Sequence, residues 1–300
     1  MMNYITRIHL KTDDRYRAKM IDFCLKGERQ YLAIGWSYVY QKVENEILTY
    51  QDYYHTVREY VKRTPPVLNI FKEASIDDLF WTRDLDGVYW ICRAKGVAEA
   101  YHDTDLDIGA VVPVEAYLVG TQVPGQIKAA FNRARGGTSQ RIWDKLIIEY
   151  SKSVFNTASG RTHYTVDKLK GNILDNLPDF DLEELVISYL QITKDYYVLS
   201  NSIANKSTTI KIECELMSRN PEKQGKAVVQ VKGRKAPTLN AMDYAEYINS
   251  GYVVYLFAPG ISNAEKLNNI ICISNDELME FYTQYKAVLP NSITQWENLY

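Results

Sequence analysis

The sequence predicts an α+β protein of two domains, a front half built on short strands and a back half in which helices and strands alternate. Three observations carry this reading. The 300 residues, 46% hydrophobic and 24% charged, suit a soluble chain of one large domain or two ordinary ones. Residues 31–120 hold short β-like runs separated by turn residues. Residues 179–288 switch between apolar residues at helical spacing and short β-branched runs.

In the front half the expected strands are YLAIGWSYV (31–39), DLFWTR (78–83), GVYWICRAKGVAEAY (87–101) and AVVPVEAYLVG (110–120). The turn DLDG (84–87) fits a hairpin between the second and third. Helices are expected at 15–26, 51–63 and 140–155. Such a set builds a small β-barrel or curled sheet with helices beside it.

The polar stretch NTASGRTHYT (156–165) reads as a linker. Beyond it, 179–197 carries Leu182, Leu185, Val186, Tyr189 and Leu190 at helical spacing, and Asp181 with Glu184 reads as a capping box. TTIKIECELM (208–217) alternates like a strand, NPEKQG (220–225) is a turn, and KAVVQVKG (226–233) is the next strand. A helix (237–251), two apolar strands (252–259 and 268–274) and a closing helix (275–288, Asn275 as N-cap) complete the order.

Bulk properties exclude several classes. No apolar run approaches 18 residues, so no spanning helix is expected. The start, MMNYITRIHLKTDD, lacks a signal-peptide core. Cys24, Cys92, Cys214 and Cys272 form no CxxC pair, and four scattered histidines offer no zinc spacing. The thiols are expected to be reduced and mostly buried in a cytoplasmic protein. Net charge is −2, which excludes a broadly basic coat but not a local nucleic-acid groove. No P-loop, nucleotide-binding GxGxxG, GxSxG elbow or HExxH occurs.

The chemistry-bearing residues lie on the predicted strand pair. Side chains alternate along a strand, so Lys211, Glu213 and Glu215 share one face of the first strand, and Gln230 and Lys232 share one face of the second. The turn between them brings the two sets onto one patch of sheet. Two close carboxylates repel, and a bound Mg²⁺ turns that cost into a binding site. Lys232 could then steady a water attacking a phosphate. A solvated face with ordinary cross-strand charges is the other reading of the same residues.

The arrangement resembles the PD-(D/E)xK nuclease superfamily, especially its restriction-endonuclease (Mrr-like) branch, over roughly residues 180–275. The resemblance rests on the acidic strand IECELM followed by VQVK, a Gln variant of the family's (E/Q)xK signature. It implies an αβββαβ core, Mg²⁺ as cofactor, and Glu213, Glu215, Gln230 and Lys232 as catalytic residues. The metal ligands would be Glu213, Glu215 and Gln230, with a helix acid, Glu184 or Glu183, in support. Strand alternation does not choose between Glu213 and Glu215. Arg234 and Lys235 are candidates for phosphate contact.

The front half has the character of a reader. Trp36, Trp81 and Trp90 fall in β-like segments, with Tyr38, Tyr89 and Tyr101 close in sequence. Aromatic faces hold an extruded base by stacking, worth about 1–3 kcal/mol per base, although tryptophan also fills β cores. The stretches YLAIGWS and DDLFWTRDLDGVYWICRAKGVAEAY resemble PUA/EVE-like modules over roughly residues 28–122. That resemblance implies base binding in an aromatic pocket, with Trp36, Tyr38, Trp81 and Trp90 as candidates. VPGQIKAAFNRARGGTSQRIWD (123–144) adds Lys128, Arg133, Arg135 and Arg141 with no acid before Asp144, a candidate phosphate-contact stretch.

The two resemblances imply a PUA/EVE-like β-barrel over residues 1–157 and a nuclease core, α/β in character, over 165–300. Such a layout is that of a modification-dependent DNA endonuclease, acting on double-stranded DNA with a modified base, cytosine for preference, in defence against foreign DNA. One site cuts one strand, so a homodimer is expected. A restriction enzyme reading unmodified DNA and a non-catalytic nucleic-acid-binding protein are the alternatives.

Overall fold

The computed structural model describes residues 3–44, 46–133, 137–204, 212–222, 225–233 and 236–300. It is a mixed α+β protein whose first unit ends at Asp167 and whose second begins at Lys168. Among the described residues no helix is long and apolar enough to cross a membrane.

The strands of the first unit are β1 (Ile5–Ile8), β2 (Gln30–Ile34), β3 (Leu79–Arg83), β4 (Tyr89–Ala94), β5 (Glu99–Asp103), β6 (Ile108–Gly120) and β7 (Ser139–Ile142). Its helices are α1 (Asp14–Lys26), α2 (Tyr50–Tyr60), α3 (Pro66–Glu73), α4 (Gly125–Asn132) and α5 (Lys145–Ser159). The sheet runs β2-β6-β4-β3-β1-β7, with β5 pairing to β6. β1 and β3 are parallel and the other pairs antiparallel. The long β6 pairs β2 over residues 110–114, β5 near its start and β4 over its second half. A strand that changes partners along its length bends, so the sheet curls as a half-barrel.

Helix starts follow local chemistry. Thr49 and Asp52 close a capping box at α2, and the Asp144 carboxylate accepts from the Leu146 and Ile147 N–H groups at α5. Consequently residues 140–142 do not belong to the expected helix; they pair with β1 instead. The expected linker is also revised. α5 continues to Ser159 and stops at Gly160 in the left-handed region (φ 67°). Past it, the Asn156 side chain holds the backbone of His163 and Tyr164, and Asp167 N–H donates to the buried Glu149 carboxylate.

Gly109 of β6 sits where two elements meet. A Cβ there would lie 2.5 Å from Tyr53 Cε2 and 2.6 Å from the Gly35 carbonyl oxygen, which also accepts from the Tyr53 hydroxyl. Gly109→Ala is therefore expected to cost about 1–3 kcal/mol by overpacking. Urea unfolding checks this, and an unchanged midpoint would show that the Tyr53–Gly35 contact yields freely.

The second unit has strands β8 (Tyr196–Val198), β9 (Cys214–Ser218), β10 (Lys226–Val231), β11 (Leu239–Asn240), β12 (Tyr252–Phe257), β13 (Ile261–Ser262) and β14 (Ile270–Cys272). Its helices are α6 (Asp179–Thr193), α7 (Ser200–Ala204), α8 (Ala245–Asn249), α9 (Asn275–Tyr285) and α10 (Asn291–Thr294). The main sheet runs β14-β12-β10-β9-β8; β8, β9 and β10 form an antiparallel meander, while β12 and β14 continue parallel to β10. β10 is buried from Ala227 to Val231, as a central strand covered on both faces must be. Val228, Val254 and Leu256 pack with Ala241 and Tyr244 on one side, and α6 lies against the strand.

Several expected boundaries change. The helix expected over 179–197 ends at Thr193, and its last residues form the edge strand β8 after Asp195 turns left-handed (φ 60°). α6 starts after Pro178, so Asp181 is not its cap; the buried Asp181 carboxylate accepts from Trp296 Nε1 at 2.9 Å. The helix expected over 237–251 breaks into β11, a 3₁₀ turn and the short α8. Ser274, not Asn275, caps α9. Cys24, Cys92 and Cys214 are buried and Cys272 is exposed, all as free thiols.

Candidate functional site

The strand pair β9–β10 carries the first candidate site. Their register sets Glu215 opposite Val228, and the Glu213 N–H donates to the Val229 carbonyl just beyond the last pair. Glu213, Glu215 and Gln230 therefore share the face that Val228 turns toward Tyr244. The Gln230 amide nitrogen donates to Glu213 Oε1 at 2.5 Å, with Gln230 1% and Glu213 9% exposed. The Gln230 carbonyl oxygen is buried with no hydrogen-bond partner among the described residues. An orphaned buried acceptor costs about 1–3 kcal/mol.

The structure separates the two glutamates that alternation left equivalent. The Glu215 carboxylate turns along the sheet to accept from the Tyr252 hydroxyl at 3.2 Å, while Glu213 stays with Gln230. Burial pushes the Tyr244 hydroxyl up to about 12, and the negative charges of Asp243 and Glu213 push in the same direction.

Lys232 follows the strand, and its N–H extends the ladder to the Phe257 carbonyl at 2.8 Å. It is half-buried, and among the described residues its ammonium makes no hydrogen bond or ion pair. Among the described residues Glu184 makes no hydrogen bond or ion pair with this group; it is exposed on α6. The acid that α6 does bring to the strand end is Asp179, whose carboxylate occupies the space a Cβ at Gly233 would need. Pro178 just before it was the sequence signal that the helix, and hence this acid, begins there. Arg234 and Lys235 lie outside the described residues, as do Lys211 and the start of the expected strand 208–217. Among the described residues no group of three or more His, Cys, Asp or Glu side chains is arranged to hold a metal ion.

The front unit holds the second candidate site, a cleft of about 300 Å³ lined by Thr12, Gly35, Trp36, Tyr38, Asp107 and Thr138 among others. Trp36 ends the run after β2 in the left-handed region (φ 65°), which throws its indole out of the strand direction. Tyr38 is 41% exposed. The Asp107 carboxylate accepts from Thr12 Oγ1 at 2.5 Å, Ser37 N–H at 3.1 Å and Ser37 Oγ at 2.8 Å. A carboxylate has about four acceptor sites, and among the described residues three are taken.

Two of the four candidate base-binding residues are corrected. Trp81 is 0% exposed; its Nε1 donates to Ser151 Oγ at 2.9 Å, and its ring stacks against Tyr150 of α5. Trp90 is buried, with Nε1 on the Asp84 carboxylate at 3.1 Å. Neither presents a face to a base, because each points into a side of the sheet that other parts of the unit cover. Of the basic stretch, Arg133 is exposed and Lys128 half-buried. Arg141 is engaged already, paired with Glu73 and lying over the Tyr4 ring at 4.4 Å. Arg135 lies outside the described residues.

No family model, curated protein or solved structure matches this chain.

Proposed function

We propose that the protein is a modification-dependent DNA endonuclease whose second unit hydrolyses phosphodiester bonds with Mg²⁺ and whose first unit tests a base. The observation that carries the proposal is the buried Glu213–Gln230 pair, with an amide oxygen orphaned among the described residues, on the face of the sheet that leads to Lys232. A cation is one partner that such an acceptor takes. Mg²⁺ takes few protein oxygens and keeps waters and substrate phosphate for the rest, so one carboxylate and one amide oxygen suffice. Glu213 and Gln230 would hold it; bound there, Mg²⁺ supplies charge neutralisation at the scissile phosphate. Lys232 orients the attacking water and favours its deprotonated form. The order α6, β8, α7, β9, β10, β11, α8, β12 supports the reading, since with the short α7 and β11 set aside it follows the αβββαβ order that the nuclease resemblance implies.

In the front unit Trp36 and Tyr38 supply stacking surface, and the remaining acceptor site of Asp107 suits the exocyclic amine of cytosine. A non-catalytic nucleic-acid binder is the second reading, favoured by the small ligand set among the described residues. Incubation with Mg²⁺ and two duplexes that differ only in cytosine modification separates the readings. Cutting of the modified duplex alone is the expected result. Cutting of both removes the modified-base reader, and binding without cutting favours the second reading.

A further inference from the structure

Alternation along β1 puts Arg7 and, just past the strand, His9 on one face. Arg7 is in register with Trp81 of the parallel β3, so Arg83, two residues further, shares that face, and Tyr89 pairs with Arg83. α4 lays Phe131 over this corner. The guanidinium carbons of Arg7 and Arg83 lie 5.7 and 5.4 Å from the Phe131 ring centroid, and the His9 ring lies 5.1 Å away, edge-on. Arg133 follows one residue after α4, and its charge acts on Arg7.

The cluster is not neutralised. Among the described residues no acid forms an ion pair with Arg7, Lys11, Arg17, Arg83 or Arg133. Elsewhere in the same unit Arg15, Arg93, Arg141 and Arg161 each have a carboxylate partner. Arg7 is 1% exposed; it donates to the Gly137 carbonyl at 2.6 Å and to Gln140 Oε1 at 3.4 Å, and its Nε is buried with no partner among the described residues. Burying a guanidinium without a counter-charge is costly, and a nearby anion offsets that cost. His9 feels the same field: burial first, then Arg7, Arg83, Arg17 and Lys11, holds its imidazole down to about 4. It is neutral at pH 7 and available as a hydrogen-bond donor or acceptor.

The cluster also borders the cleft of Trp36 and Tyr38. Lys11 lines both, and Thr138, another cleft residue, accepts from the His9 N–H at 2.7 Å. We infer that Lys11, Arg17, Arg83 and Arg133, with His9 beside them and the charge of the buried Arg7 behind them, form an anchor for the phosphodiester backbone beside the nucleotide held in the cleft. This rests on the nucleic-acid reading above and extends it, since it names a sequence-independent site for several phosphates. Arginine forks match phosphate oxygens; Arg83 is held over the Phe131 ring by one end of its fork, which donates to Asn132 Oδ1 at 2.8 Å.

The test is duplex binding by fluorescence anisotropy, with the full chain carrying Lys232→Ala and no metal, across a salt series. Lys11→Gln with Arg133→Gln, both at exposed positions, and Arg83→Gln are compared with that background. The double variant is expected to bind modified and unmodified duplexes alike about tenfold more weakly, with the slope of log K against log salt reduced by about 2, or about one for each phosphate no longer neutralised. Arg83→Gln should show a reduction of about 1. Trp36→Ala should keep the slope and lose the preference for the modified duplex. Unchanged affinity and slope in both anchor variants overturns the anchor alone. Failure of the background protein to bind either duplex overturns the anchor and the nucleic-acid reading together. Displacement of the duplex by inorganic phosphate at equal ionic strength and matching occupancy would assign the cluster to a free anion and overturn the backbone assignment.

Discussion

Glu213→Gln and Lys232→Ala are each expected to lower single-turnover cleavage of the modified duplex by about 10²–10⁴-fold, or roughly 3–5 kcal/mol of transition-state stabilisation. Glu213→Gln keeps the shape of the buried side chain and removes the charge that a cation needs. The amide can still face Gln230 at the present 2.5 Å contact, so the fold should survive. Lys232 makes no ion pair or hydrogen bond through its ammonium among the described residues, and its truncation should leave stability and duplex binding near native. Glu215→Gln is the internal comparison. Its carboxylate is held by the Tyr252 hydroxyl at 3.2 Å and turns away from Gln230, so the expected loss is less than about fivefold. Rates with melting temperatures for the three variants check the assignment. Equal losses at Glu213 and Glu215 would mean that the metal seat is not the Glu213–Gln230 pair, and full activity in Lys232→Ala would remove Lys232 from the chemistry.

The mixed α+β character and the curled front sheet were legible because they rest on local signals. The β-branched run 226–231, the hairpin turn at 84–87 and the helical spacing of Leu182, Leu185 and Val186 each act over a few residues. Shared strand faces were legible too, since alternation needs only a register. What distinguishes Glu213 from Glu215 was not, because Tyr252 arrives from β12, a parallel neighbour separated by the α8 crossover. Asp181 and Glu184 looked like a capping box, but Pro178 starts the helix one turn earlier and Trp296 takes the Asp181 carboxylate from more than a hundred residues away. The Phe131 cluster was the least legible. It joins a four-residue strand that carries no strong pattern, a hairpin and a short helix, and its meaning comes from the lack of ion pairs to its basic residues among the described residues. Individual arginines in a sequence give no sign of whether a carboxylate will meet them.

Trp81→Ala and Trp36→Ala are expected to have opposite effects. Both tryptophans lie in segments with the same aromatic, β-like look, and the sequence gives no ground for ranking them. Position in the fold does. Trp81 sits in mid-strand with no exposed surface, stacked on Tyr150 and bonded to Ser151 of α5. Its truncation leaves a large cavity and the Ser151 hydroxyl without its donor, at a cost of about 3–5 kcal/mol. A shift of about 2–4 °C per kcal/mol applies to a unit of this size, so melting should fall by roughly 6–20 °C. Trp36 stands past the end of β2 at positive φ, lining the cleft and half-buried against the edge of the core. Losing it removes stacking surface worth about 1–3 kcal/mol per base, a loss of roughly 5- to 150-fold in preference for the modified duplex. Its effect on melting should be less than that at Trp81, since the ring is only half-buried against the core. Differential scanning calorimetry and paired binding curves decide the matter. A Trp81 variant that melts normally but loses selectivity would exchange the two roles, and a Trp36 variant with unchanged selectivity would move the reader out of this cleft.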